Sequence, residues 1–358
     1  VKSNLKNRHS FKGILRHFAL DNENGKVPTP LVRGNFNVAA TMRGTLLDTH
    51  LKGNLKHADL QGLGLIDKHY IAKTEADLHI RSNMKNYHHL DGNIDQLQLD
   101  ERRGNNHIAL LNGSFRLDAD MRGNDIKGSL DGQFPHADLY QLGVIDQPFT
   151  THFNTRLNFA MTGTDDLRAE GAFHNLDVST KNRTYSPGDV AFDLLSQRDS
   201  THAEVKGGDF LLNTDLNGSY KQLANIGKKF ANDLQRQIAG KYIDQHALRQ
   251  LLPTGHFTLK SGTDNFFSGL LAEQGYRFKT ADIQLTSSPE EGLNGKMMVD
   301  GMEHDSLRVD SLLLTLYNHD DGLNYRLEIA NAPDNHYPYH ACLQGAFYEH
   351  GILSTLSV

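Results

Sequence analysis

Twenty histidines among 358 residues raise metal chemistry first. His57-x-Asp59 and His136-x-Asp138 set an imidazole and a carboxylate two residues apart, which on an extended strand turns both to one face. Two ligands are too few for a zinc site, and no cysteine or further clustered histidine completes either set. A strand end followed by an Asp helix cap fits both elements better, so no metal ligand and no cofactor is assigned. His88-His89 is expected as a loop pair, and the other histidines as a solvated polar face. Asp165-Asp166 and Glu290-Glu291 are adjacent carboxylates, but neighbours in extended chain point apart, so both read as turns rather than an acid and base pair. The chain has no Gly-x-Ser-x-Gly elbow, no phosphate loop of the Gly-x-x-x-x-Gly-Lys-Ser/Thr type and no His-Glu-x-x-His. No catalytic residue is assigned.

Apolar side chains are better organised than polar ones. Leu78 and Ile80, Leu97 and Leu99, Phe115 and Leu117, Leu157 and Phe159, and Leu176 and Val178 alternate with polar neighbours, with Phe173 close by. Period two marks strands buried on one face only. Asp91-Gly92, Asn112-Gly113, Asp131-Gly132, Asn217-Gly218, Asn294-Gly295, Asp300-Gly301 and Asp321-Gly322 are expected to make the tight turns of antiparallel hairpins. Leaving a side chain of this size in water forfeits about 1.5–3 kcal/mol of burial, so something must cover these eleven residues. Two answers stay open: a second layer closing a sandwich core, or a sheet curled into a trough whose lining meets apolar ligands.

The architecture rests on a repeat. Gly53-Asn-Leu-Lys-His-Ala-Asp-Leu60 with Leu63-Gly-Leu-Ile-Asp67 returns 79 residues later as Gly132-Gln-Phe-Pro-His-Ala-Asp-Leu139 with Leu142-Gly-Val-Ile-Asp146. The same offset joins Gly34-Asn-Phe36 to Gly113-Ser-Phe115 and Met42-Arg-Gly44 to Met121-Arg-Gly123. Copies are placed at about 34–112 and 113–191. A third begins at Leu216-Asn-Gly-Ser-Tyr220 but lacks the His-Ala-Asp-Leu element. Asp59-Leu60-Gln-Gly-Leu-Gly-Leu65 and its twin after Asp138 read as short helical turns with an Asp cap. Residues 1–219 are thus a repetitive β region. From Tyr220 to Leu252, Tyr220, Leu223, Ile226, Phe230, Leu234 and Ile238 take helical spacing up to Pro253, which predicts a helical insertion with a second short helix after Asp244. Its Lys221, Lys228, Lys229, Arg236, Lys241 and Arg249 outnumber Asp233 and Asp244. Such a helix can rest on an anionic membrane or cap the end of a groove, and the cap is favoured. Residues 253–358 return to strands, with a short helix at 264–274 before Gly275.

Composition removes other classes. Lys+Arg 37 against Asp+Glu 43 gives a net charge of −6, with no basic stripe for a phosphate backbone, so nucleic acid is excluded as a partner. No apolar run approaches the roughly 18–20 residues of a membrane helix. A single cysteine, Cys342, permits no internal disulfide. With no initiator Met and no signal pattern at Val1, the sequence reads as a piece of a longer protein.

At the paired Gly-x-x-x-His-Ala-Asp-Leu-x-x-Leu-Gly-x-Ile-Asp elements, and at Leu259-Lys-Ser-Gly-Thr-Asp-Asn265 leading to Gly292-Leu-Asn-Gly295, the chain resembles the AsmA-like superfamily, in particular its translocation and assembly module branch. The likeness runs from about Gly34 to the end. It implies an all-β fold, an elongated antiparallel sheet of repeated units curled around an apolar groove, interrupted here by a helical insertion. It also implies a periplasmic segment of a protein anchored in the inner membrane, the anchor lying outside this sequence. The implied partners are phospholipid acyl chains and an outer-membrane barrel assembly protein, and the implied function is passive conduction of phospholipid between two membranes or help in outer-membrane protein assembly. No bond is broken in either. The lining residues would be Leu78, Ile80, Leu97, Leu99, Phe115, Leu117, Leu157, Phe159, Phe173, Leu176 and Val178. The competing reading is a structural or adhesive β-repeat scaffold that shows its polar face to a protein or glycan. An enzyme acting on polysaccharide is a third, for which no carboxylate pair recurs on a strand face.

Overall fold

A computed structural model of the chain describes all residues except 1, 5, 23–27, 105, 146–147, 182, 241, 305–306, 320–321, 332–338 and 349–350. Asp146, Lys241 and Asp321 therefore lie outside the described residues. The fold is all-β with a helical insertion: 70% strand and 10% helix, with 21 antiparallel strands in a sheet that does not close into a barrel. It divides into two units, residues 1–164 with 171–186, and residues 165–170 with 187–358.

The strands of the first unit follow chain order: β1 (Lys2–Ser3), β2 (Arg8–Asn22), β3 (Thr29–Arg43), β4 (Leu46–Asp59), β5 (Tyr70–Ser82), β6 (Tyr87–Arg103), β7 (Asn106–Arg122), β8 (Asp125–Asp138), β9 (Phe149–Thr162) and β10 (Asp166–Thr180). Each pairs with the next. The hairpin prediction holds, but different residues make the turns. Asp91-Gly92, Asn112-Gly113 and Asp131-Gly132 lie inside β6, β7 and β8, and Asn294-Gly295 and Asp300-Gly301 inside a later strand. The tight turns are Gly44-Thr45 and Gly123-Asn124, whose glycines take φ of 60° and 62° at the first turn position. Glycine adopts that angle at no steric cost, whereas most side chains are strained there. His88-His89 is likewise corrected: both residues are in β6, and His89 is buried. A dipeptide pattern cannot tell a turn glycine from one inside a long strand, because both relieve crowding.

The 79-residue repeat is four strands, and it reaches further upstream than the sequence match. The Asn4 side-chain carbonyl accepts from the N–H groups of Lys6, Asn7 and Arg8, as that of Asn83 does from Lys85, Asn86 and Tyr87. Ser3 bonds His9 at 2.7 Å and Ser82 bonds His88 at 2.8 Å.

Every ladder from β2 to β9 also slips register at one shared level: beside Leu15/Phe18, Arg33/Gly34, Leu55/Ala58, Lys73/Glu75, Ile94/Leu97, Asn112/Ser114 and Phe134/Ala137, and two ladders slip again farther on, at Leu20/Asp21 and, 79 residues later, Leu99/Asp100. His17, Gln96 and Asn175, spaced 79 apart, take φ of 53°, 51° and 51° at this level. The His17 N–H donates to Asn35 Oδ1 at 2.8 Å and the Gln96 N–H to Ser114 Oγ at 3.0 Å. A bulge bends its strand and sharpens the local twist. Bulges aligned across neighbouring strands crease this unit's sheet along a line.

Beyond the crease lies the tightest packing. Ala58, Ile71, Leu110, Ala137 and Val178 are at most 4% exposed. The Ala-Asp-Leu element explains the position. Ala58 and Ala137 end their strands in this core, and the next carboxylate caps a single helical turn, Asp59 Oδ1 accepting from Gly62 N–H and Asp138 Oδ1 from Gln141 N–H. Each turn closes with paired bonds, Leu65 to Leu60 and Gly64 to Gln61, repeated as Val144 to Leu139 and Gly143 to Tyr140, the Schellman pattern.

In the second unit β11 (Thr184–Ser196), β12 (Ser200–Gly207) and β13 (Phe210–Asn217) precede α1 (Tyr220–Ala239) and α2 (Gln245–Gln250). Then come β14 (Gly255–Ser261), α3 (Phe266–Glu273), β15 (Tyr276–Arg277), β16 (Thr280–Ser288), β17 (Gly292–His304), β18 (Leu307–His319), β19 (Gly322–Ala330), β20 (His340–Tyr348) and β21 (Gly351–Ser357). The ladder skips only the short β15, which pairs with the end of β17. The two predicted helices of the insertion and the helix before Gly275 are present, capped by Ser219, Asp244 and Asn265. One inward residue differs: Ile238 is 61% exposed, and Gln237 is buried in its place. Gln237 Oε1 accepts the Asp244 N–H at 2.6 Å, satisfying a backbone donor that a leucine would leave bare.

Replacing Asp138 by Ala should cost about 1 kcal/mol through loss of its cap. Gly123→Val should cost about 1–2 kcal/mol by forcing a branched residue into a left-handed turn. Both are read as lowered urea midpoints at unchanged m-value.

Candidate functional site

The register collects the alternating residues into continuous rows. In the first unit one row runs Val38, Leu51, Leu78, Gly92, Leu117, Leu130 and Leu157 from β3 to β9. The row beside it carries Ala40, Thr49, Ile80, Leu90, Ala119, Gly128 and Phe159, and the row on the other side Phe36, Gly53, Ala76, Ile94, Phe115, Gly132 and Thr155. Rings lie along the second side: Phe115 stacks on Phe134 at 6.0 Å, Phe134 meets Phe153 at 5.2 Å and Phe153 meets Phe173 edge-on at 5.1 Å. Glycines opposite make the space. A Cβ on Gly132 would stand 2.5 Å from that of Phe115, and one on Gly53 only 2.7 Å from the Phe36 ring.

Ten of the eleven sequence candidates are half-buried: Leu78, Ile80, Phe115, Leu117, Leu157 and Phe159 stand in these rows and Phe173 in the run of rings, while Leu97, Leu99 and Leu176 lie past the register slip. Val178 is different. At 1% exposed it belongs to the closed packing beyond the crease and offers no surface to a ligand.

The second unit carries a longer row that sequence reading missed: Phe192, Val205, Leu212, Leu259, Ile283, Met297, Leu314, Leu327, Leu343 and Leu356, one from each of ten paired strands. Its members sit in short runs of ordinary alternation, and only the register aligns them. At one end of these strands α1 and α2 fold over the sheet. Gln245 Nε2 donates to the Phe347 carbonyl while its Oε1 accepts from Leu323 N–H, and Arg249 Nε donates to the Pro289 carbonyl at 2.8 Å. The insertion is therefore a cap on strand ends. Beneath it is a cavity of about 210 Å³ lined by Phe230, Leu234, Leu248, Leu293, Leu323 and Phe347, among others.

The faces are not sealed by a second layer. The chain exposes 22057 Å², whereas two fully separate compact domains of half its mass would together expose about 17,000 Å². Only three large apolar side chains among the described residues, Ile71, Leu110 and Val178, fall below 2% exposure.

Known proteins offer no guide here. No protein-family model, curated protein or solved structure matches the chain.

On the opposite face of the first unit the polar partners of these strands bond one another. Asp77 joins His50 at 2.5 Å and Lys52 at 2.7 Å, His79 meets Asp48 at 3.0 Å, and Arg156 meets Asp131 at 2.9 Å. The hydrogen bond from Lys52, with a second from His50, holds the Asp77 carboxyl below the usual carboxylate range. His89, Asp118 and Asp120 bring ligand atoms within 4.8 Å of one another. Both ring nitrogens of His89 are already engaged, by Asp91 at 2.9 Å and Asp120 at 3.1 Å, so the group acts as a cross-strand ion network. The His-x-Asp elements do not form a site either. His57 bonds the Pro30 carbonyl at 3.0 Å and His136 the Ala109 carbonyl at 3.2 Å, while Asp59 and Asp138 serve as caps.

One carboxylate ties the second unit together. Asp209, in the turn between β12 and β13, accepts from Asn265 Nδ2 at 2.5 Å and from the Asp264 N–H. Partial burial works against its ionisation, but these bonds outweigh it and hold the carboxyl below its ordinary value. With the folded value below the unfolded one, its stabilisation is present at neutral pH and is lost as pH falls below about 4. Asp209→Asn should thus lower the urea midpoint at pH 7 and narrow the gap from the parent at pH 3.

Proposed function

We propose that the half-buried apolar face binds the acyl chains of phospholipid and lets them slide from strand to strand along its rows, without covalent chemistry. The observation that carries this reading is the set of unbroken apolar rows crossing each unit's ladder with no layer of protein laid over them. Burial of methylenes against such a surface stabilises a bound chain by about 0.8 kcal/mol per CH₂, and the absence of directional bonds leaves it free to move. The line of bulges between the open rows and the closed packing supports the reading, because a bulge bends its strand and a conduit needs a bent sheet.

The resemblance to AsmA-like proteins of the TamB type gives this chemistry a setting. The chain would be a periplasmic stretch of an inner-membrane-anchored protein that passes phospholipid toward the outer membrane, or that aids insertion of outer-membrane barrels together with a barrel assembly protein. No helix among the described residues is long and apolar enough to cross a membrane. The scaffold reading is weaker for a physical reason: the polar face of the first unit turns many of its charges to one another, leaving fewer to recognise a protein or glycan.

Leu78→Asp, Phe115→Asp and Phe159→Asp, made together, should abolish phospholipid recovered by extraction of the purified protein while far-UV circular dichroism keeps its strand signal. Loss of the strand signal would instead make these residues closed core. Phospholipid recovery equal to the parent's would reject the conduction reading.

A further inference from the structure

In the second unit the apolar face ends under a roof. Leu293, Leu323 and Phe347 stand four residues beyond Met297, Leu327 and Leu343 of the ten-strand row, along ladders that run there without a slip. An even spacing on a regular strand keeps them on the same face, roughly 13 Å further on at about 3.3 Å per residue. Over them lie Phe230 and Leu234, one turn apart on α1, and Leu248 on α2. Between roof and sheet is the cavity of about 210 Å³. The row that separates it from the long one runs Leu285, Gly295, Leu316, Tyr325 and Gly345, and its two glycines add no side chain to the floor.

The chemistry of the wall decides what fits. Protein interiors keep few voids larger than a water molecule, and this one exceeds the roughly 150 Å³ apolar hole that takes up benzene. Water suits it poorly, because a buried water needs about two to four polar partners. The polar side chains of the wall are turned to the backbone instead: Gln245 to Phe347 and Leu323, Arg249 to Pro289, and Asn318 Nδ2 to the Leu293 carbonyl at 2.8 Å. An alkyl segment needs no polar partner. Scaled from benzene, the space takes about eight carbons. We infer that this cavity is a terminal pocket for the methyl end of one acyl chain, the rest of which lies on the open face toward Met297, Leu314 and Leu327. The inference rests on the acyl-chain reading of that face and adds a stopping place to it, since a chain moving along the rows is held by its tail where the insertion roofs the strands.

Two photoreactive palmitates test this on the whole chain, one with a diazirine at the methyl end and one with it beside the carboxyl group. After proteolysis and mass spectrometry the methyl-end probe should be found on Phe230, Leu234, Leu248 or Phe347, and the carboxyl-end probe only on residues outside the cavity. Leu248→Phe in the roof and Leu293→Phe in the floor each fill the space. With far-UV circular dichroism like the parent's, each should cut the methyl-end label beneath the roof at least about tenfold, because a filled cavity has no room for the tail. Methyl-end label confined to the rows would overturn the pocket and leave the conduction reading standing, whereas no label from either probe, with no phospholipid recovered from the purified chain, would remove both. Undiminished label beneath the roof in the folded variants would also overturn it. So would octanoate binding in the cavity with no palmitate label there, since the site would then serve a free short molecule.

Discussion

The structure depends on a hydrogen-bonded antiparallel ladder interrupted at one level in strand after strand. A regular ladder of such length would twist steadily. Here each bulge adds a residue to one strand, and seven of the nine slips, one in each ladder, fall side by side. The interruption separates two kinds of packing in the first unit. On one side, where the strands end at the Asp-capped turns, Ala58, Ile71 and Leu110 are packed away from water. On the other, leucine and phenylalanine rows lie half-covered, with glycine opposite the bulkiest rings.

Polar residues complete that arrangement. A sheet with one apolar face must present the other to water, and in the first unit that face turns its carboxylates toward histidine, lysine and arginine on neighbouring strands. Exposed pairs of this kind contribute little each. Their value is in register, because a slip by one residue would bring like charges together and turn the leucines outward. The abundance of histidine is thereby explained by cross-strand bonding and by capture of carbonyls at His57 and His136.

The helical insertion works by the same economy of backbone groups. α1 and α2 cover strand ends in the second unit and use Gln245 to bridge the first residues of β19 and the last of β20. Gln237 is buried for the same reason, holding the N–H of Asp244. Two glutamines at positions that amphipathic spacing would assign to apolar residues or to solvent thus fix the cap.

Sequence alone determined the local and the repeated. Period-two alternation specified the strands, the 79-residue offset specified the repeating unit, and Asp59 specified a capped turn, because alternation and capping depend on neighbours within a few residues and the repeat can be read by matching the chain to itself. It did not place the turns at Gly44 and Gly123, since a glycine inside a strand looks the same in a dipeptide as one between strands. Nor could it separate Val178 from Leu176, which share one alternating stretch beyond the bulge at Asn175; only the tertiary packing buries the first fully and leaves the second half-buried. The ten-strand row from Phe192 to Leu356 exists only through register, a relation among residues far apart in the chain. Whether an apolar stripe is covered is decided by what the rest of the chain lays over it, and no local pattern encodes that.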